Sequence, residues 1–240
     1  MTGNETRDLL LTAADLSYKE FNDRIANWDA SLSIGVRVPK IREIAALVVK
    51  NGWEEYLEDM GRLYAKGAPL YHEEHMLWGM VIGKAKMDRE QRVRHLDLWI
   101  PGILSWGDCD CSVSGFKFMK KDQEFWYGYC TRWLEGGREF EVRFALVALM
   151  QYFINDEYIG RVLPLFAGEK ASSSSDTPYY IRMAQAWALS VCFVKYRYLT
   201  WEVFASRTLD PWVQNKAIQK CRESYRISEE DKELLKSLKI

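Results

Sequence analysis

The residues with the most chemical promise lie in Ile103-Leu-Ser-Trp-Gly-Asp-Cys-Asp110. Trp106 and Asp110 are four residues apart, so a helix here would stack them on one face. A carboxylate beside an aromatic surface is a setting that stabilises a cationic sugar or base. The plainer reading of this spacing is a packed tryptophan and an acid that favours the positive end of a helix. Such aromatic–acid pairs are common on helices, so spacing alone favours the plainer reading. Ser105 and Asp108 have capping-box spacing, which assigns Asp108 a structural role.

Two further residues stand out. Arg143 sits in Phe140-Glu-Val-Arg-Phe-Ala-Leu-Val-Ala-Leu-Met150, a segment otherwise nearly all apolar. A buried guanidinium needs a partner. Glu139, one turn earlier, is the nearest candidate, and a phosphate gripped by the guanidinium fork is the other. Trp187 is flanked by Ala184, Ala186 and Ala188, which leave space beside its ring. With ten tryptophans in the chain, the plain expectation for one of them is a core anchor.

Other chemistries find little support. His72-Glu-Glu-His75 spaces its histidines by three, whereas the zinc-protease helix spaces them by four. Cys109 and Cys111 are two apart and point to different sides of a helix. No metal site is therefore expected. Neither a phosphate-binding glycine loop nor a nucleophile elbow is present.

The elements that must position these residues read as helical almost throughout. Pro39 opens a segment whose Ile41, Ile44, Ala45 and Val48 form one apolar stripe, and Gly52 closes it. Gly136-Gly137 breaks the chain before Phe140 to Phe153. Asp176-Thr177-Pro178 opens a helix from Tyr179 to Val194 that is apolar on nearly every face and so should be central. Asp210-Pro211 opens another, and Ser228 with Asp231 has capping-box spacing for the last. Ser172 to Ser175 reads as a flexible connection within one domain. Alternation with a hairpin turn, the mark of paired strands, is missing. Helices of about 12–16 residues on short turns suggest stacked antiparallel pairs, and HEAT-like units of about 40–47 residues would place five or six in the chain. Periodicity alone leaves a compact bundle equally open.

Composition sets bounds. A chain of 240 residues, 48% hydrophobic, can build a sizeable core. Its segments are too short and too charged to span a membrane, and its N-terminus lacks a signal-peptide core. Five cysteines in no paired framework fit reduced thiols in a cytoplasmic protein. The formal net charge of -1 is low for a nucleic-acid binder, so binding would need a local basic face. Residues 1–75 hold 9 Lys+Arg against 13 Asp+Glu, which from totals of 33 and 34 leaves 24 against 21 in residues 76–240.

Taken together, Ile34-Gly-Val-Arg-Val-Pro39, Trp106-x-x-x-Asp110, Arg143-x-Ala145, Tyr180-Ile-Arg-Met-Ala-Gln-Ala-Trp187 and Asn215-Lys-Ala-Ile218 resemble, in order and spacing, the AlkD-like family of DNA alkylation repair glycosylases. The resemblance runs from about residue 15 to residue 230. It implies a single all-α domain over residues 1–240, a HEAT-like solenoid whose concave basic face holds duplex DNA. It also implies hydrolytic excision of N3- and N7-alkylated purines, without cofactor or metal, by a monomer. By match to the motif, Trp106 and Trp187 would pack on the deoxyribose. Asp110 would stabilise the developing oxocarbenium and position water, and Arg143 would hold a backbone phosphate. An N-alkylated purine already carries positive charge, so a carboxylate near the anomeric carbon supplies what the reaction lacks.

The best-known active pattern has a lysine four residues before the second tryptophan, where this chain has Met183. The Trp-Gly-Asp-Cys-Asp and Met-Ala-x-Ala-Trp forms are similar to a second branch of the family. Other branches bind DNA without excising bases, so a non-catalytic HEAT-like protein on damaged or branched DNA is the alternative. A protein-binding helical scaffold is the third reading.

Overall fold

The computed structural model describes residues 1–26, 28–168 and 176–240, and the serine run read as a flexible connection lies outside them. The described residues form thirteen α-helices and short 3-10 turns, with no strand. The all-helical expectation holds. None of these helices is long and apolar enough to cross a membrane. The chain divides into two compact units, Met1–Phe118 and Met119–Ile240.

The first unit contains α1 (Gly3–Thr12), α2 (Leu16–Ala26), α3 (Val38–Ala65), α4 (His72–Lys84), α5 (Arg89–Trp99) and α6 (Trp106–Val113). The proline and glycine at the ends of the first apolar stripe act as expected. Pro39 lies in the first turn of α3, and Gly52 takes φ 119°, a left-handed conformation that breaks the helix internally. A second helical stretch then follows with no loop. Ile41, Ala45 and Val48 are fully buried. Helix α4 is the centre of this unit: every residue from His72 to Ile82 is buried, and α3 and α6 pack against it. Gly79 permits the close approach of α6, because a Cβ there would sit 2.5 Å from the Ser112 hydroxyl and 2.7 Å from the Trp99 ring.

The second unit contains α7 (Gln123–Arg132), α8 (Glu139–Tyr152), α9 (Ile159–Phe166), α10 (Tyr179–Lys195), α11 (Arg197–Ser206), α12 (Pro211–Glu223) and α13 (Glu229–Lys236). Helix α10 begins just after Pro178 and packs against α8 and α12, which matches its apolar character on most faces. Residues 141–150 of α8 are all buried. Asp210 caps α12 by accepting from the Val213 N–H at 3.0 Å.

The two expected capping boxes form in one direction only. Ser105 accepts from the Asp108 N–H at 3.1 Å, and Ser228 from the Asp231 N–H at 3.1 Å. Each acid then serves a distant partner: Asp231 pairs with Arg197 at 2.8 Å, and Asp108 with His72. A tertiary ion pair or imidazole outcompetes the local backbone amide in both cases.

Candidate functional site

Trp106 and Asp110 are set by helix α6. Ser105 supplies its N-cap, and Ser112 ties it to α4 by donating to the Met76 carbonyl at 3.2 Å. The helix is therefore held from both its start and its buried face. Trp106 is half-buried, and its indole N–H donates to the Ala26 carbonyl at 3.0 Å. Asp110, one turn later, is also half-buried. Between them Cys109 is fully buried. Burial, with Asp110 adding to it, pushes the Cys111 thiol up to about 11, which leaves it an inert thiol rather than a nucleophile.

The His-Glu-Glu-His run at the start of α4 resolves into four separate structural tasks. His72 meets both oxygens of Asp108 at 3.1 Å through Nδ1. Glu73 accepts from the backbone N–H groups of Ile34, Gly35 and Val36 at 3.0, 2.7 and 3.2 Å. Glu74 takes a forked ion pair from Arg7 at 2.8 and 2.9 Å. His75 donates from Nε2 to the Trp99 carbonyl at 3.1 Å, and Trp99 returns an indole N–H to the His75 carbonyl at 3.0 Å. Among the described residues, no group of three or more His, Cys, Asp or Glu is arranged to hold a metal.

In the second unit Arg143 is buried, at 5% exposure. Its guanidinium donates to the Tyr180 carbonyl at 2.9 Å, while the Glu139 carboxylate accepts from the Tyr180 N–H at 2.7 Å. The expected Glu139–Arg143 pair thus takes another form. Both side chains converge on one residue of α10 and fix where that helix begins.

That junction gathers further cations. Tyr179 and Trp212 are edge to face with centroids 5.7 Å apart, which sets the N-termini of α10 and α12 side by side. Arg182 lies 4.8 Å over the Trp212 ring, and the Lys216 ammonium 5.8 Å from it. Arg182 and Lys216 give this junction positive charge suited to a phosphate, while the helix ends themselves already hold carboxylates, Glu139 on α10 and Asp210 on α12. Sequence reading had both residues inside the quoted motifs and did not single them out. Their signal was present: each is a cation one turn from an aromatic, Arg182 from Tyr179 and Lys216 from Trp212.

Trp187 lies two turns further along α10 and is half-buried. It lines a cavity of about 280 Å³, with Lys195, Lys220 and Arg226 on the same wall and Glu223 beside them. The neighbouring alanines are buried and do not line this cavity; Ser190, Val191 and Val194 of the same helix do. Met183, one turn before it, is half-buried. Of the four residues singled out, the first unit holds Trp106 and Asp110, and the second holds Arg143 and Trp187.

A family model described as DNA alkylation repair enzyme matches residues 8–196, from α1 through α10. No curated protein and no solved structure matches the chain.

Proposed function

Since the chain belongs to the DNA alkylation repair enzyme family, we propose that it is a glycosylase that excises cationic N3- and N7-alkylated purines from duplex DNA. The observation that carries this reading is the pair on α6: Trp106 and Asp110 stand one turn apart, partly open to solvent, on a helix pinned to the core. Asp110 supplies negative charge to the developing sugar oxocarbenium and orients water. Trp106 packs on the deoxyribose, and the motif assigns Trp187, in the second unit, the same kind of contact. Arg182 and Lys216 meet the backbone phosphates at the paired helix ends. Arg143, buried behind them, positions Tyr180 and adds its charge to that end.

In this reaction the glycosidic bond breaks with its electron pair leaving on the purine, which is thereby neutralised. Water adds to the anomeric carbon and gives up a proton. A general acid is unnecessary, because alkylation has already activated the leaving group.

A second reading, binding without excision, draws on Met183 in place of the lysine and on the burial of Arg143. Release of 7-methylguanine and 3-methyladenine from methylated duplex DNA decides between them. Single-turnover release that falls about a hundredfold in Asp110→Asn supports excision. Tight binding with no release supports the second reading.

A further inference from the structure

The first unit holds a cavity of about 290 Å³ that the excision chemistry does not use. It lies where the connection between α3 and α4 faces the turn between α5 and α6. Its walls are largely apolar, with Leu70, Pro101 and Leu104 among them, and Tyr64 and Tyr71 add aromatic surface. His72, His75 and Asp108 are the polar side chains that line it.

Their hydrogen bonding is unequal. Asp108 is wholly buried and accepts from the His72 ring and from the Leu104 N–H at 3.2 Å. A carboxylate at Nδ1 favours the tautomer with its proton there, in which Nε2 is the acceptor. His72 is 3% exposed, and its Nε2 is enclosed without a hydrogen-bond partner. Buried polar atoms in native proteins are nearly always satisfied, so an unpartnered imidazole nitrogen on a residue that lines a cavity points to a group that reaches it from there. Trp28 stacks on the His72 ring at 4.4 Å and 12°, which fixes its plane. His75 provides a second acceptor. Its Nε2–H is committed to the Trp99 carbonyl, and burial lowers its pKa to about 4, so the ring is neutral and Nδ1 carries a lone pair. Gly102 lets the turn close over that ring, because a Cβ there would sit 2.7 Å from His75 Cε1.

We propose that this cavity binds a planar heteroaromatic base of purine size through its ring N–H, accepted by His72 Nε2, with His75 Nδ1 as the acceptor for a second donor where the base carries one. Two imidazoles are too small a donor set for zinc. The buried Asp108 carboxylate repels anions. Apolar and aromatic walls with two acceptors suit a flat ring that carries donors. A purine is also the leaving group of the proposed excision, so its biological source rests on that reading, while binding itself does not.

Titration with purine, and with 9-methylpurine as the ring that lacks an N–H, tests the site on the full chain. Calorimetry gives affinity, and the ¹⁵N resonance of His72 Nε2 gives the contact. Leu104 is 58% exposed at the cavity wall, so Leu104→Trp fills the space without disturbing the core. Purine binding with a shifted His72 resonance, weakened about tenfold or more by the methyl group and by Leu104→Trp, is expected. An oligonucleotide with an unpaired adenine that displaces purine assigns the base to a strand, and failure to displace assigns it to free base. An unmoved His72 resonance, or equal affinity in Leu104→Trp, overturns the proposal. Excision assayed in parallel keeps the two readings apart, since Asp110→Asn should leave purine binding intact.

Discussion

The cavities of the two units answer different chemistries. In the first, the buried carboxylates are satisfied inside the protein: Asp108 by the His72 ring, Glu74 by Arg7, and Glu73 by three amides. What remains for a ligand is apolar wall and imidazole lone pairs. In the second, Lys195, Lys220 and Arg226 line a cavity with Trp187 and one acid, Glu223, and Arg182 and Lys216 flank the Trp212 ring in the first two turns of α10 and α12. Charge there faces outward, where it can meet phosphate. On the proposed reading, one all-helical fold separates base-type from backbone-type recognition by where it lets ion pairs close.

The sharpest way to break that contrast is to compare two acids on one helix. Asp108 is wholly buried against His72, whereas Asp110 is half-buried. Asp108→Ala should destabilise the fold by about 3–5 kcal/mol, because it strands a buried imidazole and the Leu104 amide. Asp110→Asn should cost less, because Asp110 is half-buried and keeps a side chain of the same shape. Urea titrations of the two variants read this, and equal losses would erase the distinction.

Protonation comes next in size. Burial depresses the His75 pKa from 6.5 to about 4. The unfolded chain binds the proton first as pH falls, so this contribution is full above pH 6.5 and is lost progressively towards pH 4. It amounts to about 3 kcal/mol at most. A denaturation midpoint that falls across this window, and falls less in His75→Gln, is the expected result.

The smallest effect belongs to the phosphate end of the second unit. Lys216→Ala and Arg182→Ala should each flatten log K against log salt by about 0.9 on duplex DNA. Leu104→Trp, in the first unit, should leave that slope unchanged. A slope insensitive to both cations would move the backbone contact elsewhere.

Much of the fold was legible because its signals are local. Pro39, Gly52, Pro178 and Asp210 each act within one turn of their own position, and each marks a boundary or kink in the structure. The acids of the two capping boxes were misread for the opposite reason. Ser105 and Ser228 could be read from spacing, but the partners of Asp108 and Asp231 lie 36 and 34 residues away. Arg143 shows the same limit: Tyr180, the residue it holds, is 37 positions on. The Ile34-Gly35-Val36 motif was legible as a pattern and not as a cause. Its three amides wrap the Glu73 carboxylate, and Gly35 takes φ 92° to allow it. Trp106 and Asp110 were placed together on one helix from spacing alone. Lys220 of α12 beside Trp187 could not be foreseen, because it reaches the ring's cavity only through helix packing.

The central claim is that Asp110 stabilises a sugar cation while contributing nothing to the leaving group. Single-turnover release from matched duplexes that carry 7-methylguanine or hypoxanthine tests it most directly. The account predicts rapid release of the cationic base, slowed about a hundredfold in Asp110→Asn with DNA affinity retained, since removing a negative charge cannot weaken attraction to phosphate. It predicts negligible release of the neutral base by either protein. Fast release of hypoxanthine, or full activity in Asp110→Asn, would contradict it.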